Sequence, residues 1–154
     1  MSDVSFPSEG RLAGIDFGTV RIGIAVSDAG QCIASPLENY QRADRPADAR
    51  RFCRLIEQEA VVGFVVGLPV HSSGDESQKS QEARRFGDWL HQETGLPVTY
   101  FDERYTSVQA DQILGDAGLT KKRRRERRDM LAAQILLAAF LDSQRQSSPG
   151  ALDD

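Results

Sequence analysis

Three carboxylates in this chain stand where an acid is costly or oddly flanked. The first, Asp16, lies in Gly14-Ile15-Asp16-Phe17-Gly18-Thr19, alone among apolar and small residues. An ionised group there needs compensation, either from a divalent cation or from an Arg or a set of backbone donors. Gly18 and Thr19 follow at a turn, where missing bulk and a hydroxyl suit the close approach of a phosphate. The plainer reading has Asp16 accepting hydrogen bonds from that turn. The second acid comes from Phe101-Asp102-Glu103-Arg104-Tyr105-Thr106, at the end of a short strand and the start of a helix. In α/β sheets that edge is where ligands bind. Alternation sends Asp102 and Glu103 to opposite faces. Glu103 lies further past the strand end and is taken as the inward one, with Asp102 as its rival. Arg104 either binds phosphate or pairs with Asp102. The third acid, Asp129, is expected at the start of the last helix, where a carboxylate also complements the helix dipole and need do nothing more.

Just before Asp129, seven of the eight residues from Lys121 to Arg128 are basic. The whole chain carries −4, so this octapeptide at +6 leaves −10 for the remainder. An acidic body with one basic stripe is the asymmetry of a protein that meets a polyanion at one place. Positive charge is unfavourable at a helix N-terminus, so the stripe offers the following helix nothing, and phosphates on a partner would resolve that conflict. A solvated exposed loop is the bland alternative. Gly67 to Gly74 forms a further polar loop at the same sheet edge, where His71, Ser72 and Ser73 can donate to phosphate. His71 and His91 have no metal-ligand spacing, and His91 reads as solvated.

The elements that position these groups follow from periodicity. Three strand-like runs come first, Leu12–Phe17, Ile22–Ser27 and Cys32–Leu37. The turns between them are too short for anything but antiparallel neighbours. Ala47 to Glu59 is helical, with Ala49, Phe52, Cys53, Ile56 and Ala60 on one face. Val61–Val66 is a buried strand, and Glu76–Glu93 a helix turning Ala83, Phe86, Trp89 and Leu90 inward. Val98–Phe101 is a strand, Thr106 caps another helix, and Met130–Leu141 is a helix apolar almost all round. The order βββ-α-β-α-β-α-α predicts an α/β fold with a mixed five-stranded sheet flanked by helices. One domain is expected over 11–143, with frayed tails at 1–10 and 144–154.

Composition sets the outer bounds. With 40% hydrophobic residues among 154, one core forms without disulfides or a structural metal. Cys32 and Cys53 have no CxxC or Cys/His context and read as small apolar residues in a reducing compartment. The first ten residues lack a secretory pattern, and no run is long enough to span a membrane, so a cytoplasmic location is expected.

The stretches GIDFGTVRIGIAVSD, VVGLP, YFDERYTSVQA and RRDMLAAQILLAAFLD together resemble the YqgF (RuvX) family of the RNase H-like superfamily. The four occur in order and span nearly everything from Arg11 to Asp142. The resemblance implies an RNase H-like fold similar to the RuvC type of Holliday-junction resolvase, and a nuclease whose favoured role is maturation of the pre-16S rRNA 5′ end. It also implies that Asp16 is the first-strand acid, Glu103 the acid of the DER motif and Asp129 the acid opening the last helix. These three would be both the catalytic residues and the ligands of Mg²⁺ or Mn²⁺, in a two-ion arrangement bridged by Asp16 that leaves a 5′-phosphate and a 3′-hydroxyl. Thr19, Arg21, Ser72, Arg104, Lys121, Lys122, Arg123, Arg124 and Arg125 are the candidate nucleic-acid contacts. After Gly-Leu-Pro the family usually has a hydrophobic residue and then Asn, whereas this chain has Val70-His71-Ser72; the loop's substrate contacts are therefore its own. Tyr105 is a lesser departure.

The partners so implied are pre-rRNA or branched DNA, with ribosomal particles in view, no membrane, and a monomer or homodimer. A non-catalytic nucleic-acid-binding protein is the rival of another class: it would keep the stripe and need no convergent acids. Gly14–Thr19 also looks like the phosphate loop of actin-like ATPases, but those need two such domains, and this chain has room for one.

Overall fold

A computed structural model describes residues 6–69, 78–103 and 120–146. Among them the order is β1 (Arg11–Asp16), β2 (Arg21–Ser27), β3 (Ala34–Gln41), α1 (Arg45–Glu59), β4 (Val61–Leu68), α2 (Gln78–Thr94), β5 (Val98–Asp102) and α3 (Lys121–Gln146). The expected helix after Thr106 and the loop around His71, Ser72 and Ser73 lie outside the described residues, as do Arg104 and the two ends.

The five strands form one mixed sheet in the order β3-β2-β1-β4-β5. β1 pairs antiparallel with β2 and parallel with β4; β2 pairs antiparallel with β3, and β4 parallel with β5. This is the anticipated meander followed by two crossovers. Helices cover both faces. α1 and α2 pack over Ile15, Ile22, Ile24, Phe64 and Val66 with Phe52, Leu55, Phe86 and Leu90. α3 covers the other face, where Ala133, Leu137, Phe140 and Leu141 meet Leu12, Ala25 and Val65.

Local signals set the helix ends. Asp44 caps α1, its side chain accepting from the Ala47 N–H at 2.9 Å, with Pro46 in the first turn. Ala60 closes α1 in the left-handed conformation. Gly95 at φ 74° ends α2, its N–H donating to the His91 carbonyl at 2.8 Å.

Several expectations shift. The third strand starts at Ala34 and runs to Gln41, four residues beyond its predicted end, because an edge strand tolerates polar residues such as Glu38, Asn39 and Gln41. Leu55, not Cys53, is the buried member of that turn of α1; Cys32 and Cys53 are both exposed. The expected frayed end includes residues that pack: Phe6 stacks edge-on against Phe140 at 5.7 Å, and the Pro7 and Gly10 carbonyls accept from the Gln31 amide. The largest correction concerns α3. It opens at Lys121, with the Thr120 hydroxyl accepting from the Arg123 N–H at 3.2 Å, so the basic stripe is its first turns and Asp129 lies within the helix instead of starting it. Lys and Arg are good helix formers, and a capped start outweighs the adverse dipole term. α3 is also not buried all round, since Ala138 on its outer face is exposed. No described helix is long and apolar enough to cross a membrane.

Candidate active site

The strand period of two builds the acidic edge. On β1, Leu12, Gly14 and Asp16 face α3, while Ala13 and Ile15 face the other core. On β5, Phe101 joins the α3 side and Tyr100 the α1–α2 side. Glu103 shares the parity of Phe101, and Asp102 that of Tyr100. The rivalry between the two acids is thereby decided by geometry: Glu103 bends back across β4 to make a side-chain hydrogen bond with Asp16.

Three glycines make room for this. A Cβ on Gly67 would lie 2.7 Å from the Glu103 carboxyl carbon, so the acid crosses β4 where β4 has no side chain. A Cβ on Gly14 would lie 2.8 Å from the Leu137 Cβ, and one on Gly23 only 2.2 Å from the Asp129 carbonyl oxygen. Gly23 is the strand partner of Asp16. Helix α3 can therefore rest its backbone on the sheet beside Asp16, which brings Asp129 to the same edge.

Burial pushes the Asp16 carboxyl well above its ordinary range, the charge and hydrogen bond of Glu103 push it further, and Asp129 adds a smaller push. Burial also raises Glu103; its hydrogen bond with Asp16 opposes that rise, and the charge of Asp102 adds to it. Two half-buried carboxyls bonded to each other disfavour double ionisation, so each is pushed toward its protonated form. Asp129 is held differently. Its Oδ2 accepts from Arg21 Nε and from Asn39 Nδ2, each at 3.4 Å. Among the described residues, no three His, Cys, Asp or Glu side chains form a ready-made metal-ligating group. The arrangement is a proton-sharing pair with a third acid in electrostatic range, tethered to Arg21 and Asn39.

Two hollows meet at Asp16. One, of about 300 Å³, runs along the Gly18–Arg21 turn to Asp129. The other, of about 350 Å³, runs past Thr19 to Glu103, Pro69 and Lys79. Thr19, a candidate phosphate contact, is exposed and lines both. Arg21, expected to face a phosphate, is turned to Asp129. Arg123 is exposed on the first turns of α3; the side chains of Lys121, Lys122, Arg124 and Arg125 lie outside the described set.

Sequence reasoning missed two residues here. Asn39 sits opposite Gly23 on β3, donates to Asp129, and keeps a buried Oδ1 with no hydrogen-bond partner among the described residues. Nothing local marks it, because its partner is 90 residues away. Lys79, in the first turn of α2, adds a cation to the wall that carries Glu103; a lone Lys at a helix start gave no signal.

The family model described as RuvX, Holliday junction resolvase, matches residues 10–143. A protein of Rhodopirellula baltica, which carries the provisional name of pre-16S rRNA nuclease, is 46% identical over 91% of this chain and 81% of its own length. A relative from Koribacter versatilis with the same name is 41% identical over 86% of this chain and 87% of its own. Among solved structures, RuvC of T. thermophilus in complex with a Holliday junction substrate is similar at TM-score 0.53 and 16% identity, over 90% of this chain and 97% of that one. The yeast mitochondrial Holliday junction resolvase is similar at TM-score 0.57 and 10% identity, over 94% of this chain and 82% of that one. At those identities the likeness concerns the fold, which is the RuvC-like form of the RNase H-like α/β architecture. By its sequence over residues 10–143, this chain belongs to the RuvX family.

Proposed function

We propose that the chain is a divalent-metal-dependent endonuclease, that residues 11–143 form its single domain, and that its substrate is pre-16S rRNA cut at the 5′ end. The observation that carries this is the Asp16–Glu103 pair, pressed together at the meeting point of two clefts with Asp129 close enough to be felt. Family membership supports the nuclease activity, and the names of the relatives support the RNA substrate.

The donor set fits a hard cation. A carboxyl pair whose members are pushed toward the protonated form is stabilised by exchanging a proton for a dication. Asp16 and Glu103 would hold it, Asp129 being the third ligand; the unpartnered Asn39 Oδ1 is a further oxygen at this edge. When bound, Mg²⁺ or Mn²⁺ supplies charge for the crowded phosphate and acidifies the attacking water. The chain's own residues do the rest. Thr19 and the Gly18 turn line the floor on which a phosphate would lie, and Lys79 supplies positive charge at the wall. Arg21 and Asn39 fix the direction of Asp129. The stripe beginning at Lys121 binds backbone phosphates without reading sequence, so affinity falls steeply as salt rises.

The family description favours a second reading, resolution of four-way DNA junctions, which would use the same acids. The test is cleavage of pre-rRNA fragments and four-way junctions side by side, with Mg²⁺ and with Mn²⁺. The expected outcome is RNA cut to a 5′-phosphate and a 3′-hydroxyl, the protein acting in the cytoplasm as a monomer or homodimer, free or on a ribosomal particle. Junction cutting alone would select the second reading, and binding of both without cutting would reduce the protein to a nucleic-acid-binding module.

A further inference from the structure

On the α1–α2 side of the β1–β2 turn lies a third hollow, of about 240 Å³, that the acids do not enter. Phe17 and Thr19 line it as well as both acidic clefts, so the three spaces are neighbours around one turn. Three aromatic rings form part of its walls, beside three arginines and the carboxylates of Asp48 and Glu82. Phe17 and Phe86 lie 4.8 Å apart between ring centres, and Phe86 and Trp89 5.5 Å. Trp89 is half-buried, and so keeps a face toward the hollow.

Guanidinium groups lie over these rings. That of Arg42 is 5.1 Å from the Phe17 ring centre and 5.9 Å from that of Phe86, and that of Arg45 is 5.8 Å from Trp89. Arg42 is held in place. Its Nε donates to Asp48 Oδ2 at 3.3 Å, and Asp48, 1% exposed, also accepts from the Tyr40 hydroxyl at 2.6 Å and the Ala43 N–H at 2.9 Å. A second nitrogen of Arg42 reaches the Thr19 carbonyl at 3.5 Å. Such a side chain loses little freedom when a ligand arrives. Arg85 adds a third cation to the lining.

We propose that this hollow is a nucleobase subsite, taking one unpaired base of the strand whose phosphate lies in the acidic cleft. The proposal rests on the nuclease reading and narrows its substrate to nucleic acid with an unpaired stretch at the cleavage site. A bare anion would have no use for the half-buried rings of Phe17 and Trp89, backed by the buried Phe86, and an apolar ligand none for Arg45 and Arg85, which outnumber the Glu82 carboxylate once Asp48 is paired with Arg42. A base joined to its phosphate uses both, by stacking and cation–π contact on one side and charge on the other. Bases inside a duplex are stacked away and cannot enter.

Trp89 is the only tryptophan, so its emission reports on the hollow alone. The full chain, kept in EDTA so that nothing is cut, is titrated with a single-stranded RNA oligonucleotide, its duplex, an abasic strand of equal length, and a nucleoside monophosphate. The expected result is saturable quenching by the single strand only, while polarisation shows that duplex and abasic strand still bind through charge. Trp89→Leu, read by polarisation, and Arg45→Ala, at an exposed position that leaves the core intact, should each weaken single-strand binding about tenfold. Equal quenching by duplex or abasic strand overturns the subsite, as does single-strand binding without quenching. A monophosphate that binds as tightly as the strand overturns it too. The two readings fail separately: both variants binding and cutting unpaired RNA like the parent would remove the subsite and leave the nuclease, whereas base-dependent quenching without cleavage of any substrate would do the reverse.

Discussion

The two faces of the sheet are built on opposite plans. Under α1 and α2, the strands present Ile15, Ile22, Ile24, Phe64 and Val66, all essentially inaccessible to solvent. Under α3, the same strands present Gly14, Gly23 and Gly67, and it is there that Asp16 and Glu103 project. One face is filled by side chains and holds the fold together. The other is opened at three glycines, so that the α3 backbone lies where a Cβ on Gly23 would stand and the Glu103 carboxyl where one on Gly67 would, while Leu12, Ala25 and Val65 keep the rest of that face packed against α3. Each strand residue serves one face only, so a protein of this size can keep stability and chemistry on alternate residues of the same strand.

This contrast is open to attack from either side. Phe64→Ala strikes the filled face, where ring contacts with Phe52 are lost. It should cost about 3–5 kcal/mol of unfolding free energy in denaturant melts, and cleavage by the molecules that remain folded should be near normal. Gly67→Ala strikes the opened face. The obstructed group is a flexible Glu103 side chain, so the stability cost should stay within about 1.5 kcal/mol, while displacement of the acid should lower cleavage about a hundredfold. If the two variants lose stability and activity in parallel, the division of labour fails.

A smaller effect concerns pH. Asp16 is raised in the folded chain relative to an ordinary Asp near 3.9. The folded state therefore holds a proton that the unfolded state releases, and this group's contribution to stability falls as pH rises above that value toward the raised one. Asp16→Asn removes the penalty. Without metal, the variant should melt higher than the parent at neutral pH, and the gap should close as the solution approaches pH 4. A constant gap, or one of opposite sign, would mean that Asp16 is not held protonated by its surroundings.

Much of the filled face was legible in the sequence, because continuous apolar runs such as Val61–Val66 have few alternatives to a covered strand. Edges were harder. β3 reads as polar over Glu38–Gln41 because only part of an edge strand is covered, and Asn39 could not be picked out without knowing that it pairs with Gly23. Dipole grounds alone would put the basic stripe outside a helix, whereas intrinsic propensity and the Thr120 cap carry it inside. The acids were legible as isolated charges at strand ends. That Glu103 and not Asp102 meets Asp16 depends on register, through the pairing of Gly67 with Phe101. The aromatic hollow was not visible, because Phe17, Arg42 and Trp89 come from three distant segments with no shared periodicity.

The most direct test is a calorimetric titration of the folded parent chain and of Asp16→Asn with Mn²⁺ at neutral pH, in two buffers of different ionisation enthalpy. A carboxyl pair that trades its proton for a cation predicts saturable binding by the parent accompanied by proton release, with both lost in the variant. Binding by the parent without proton release, or equal binding by the two proteins, would contradict it.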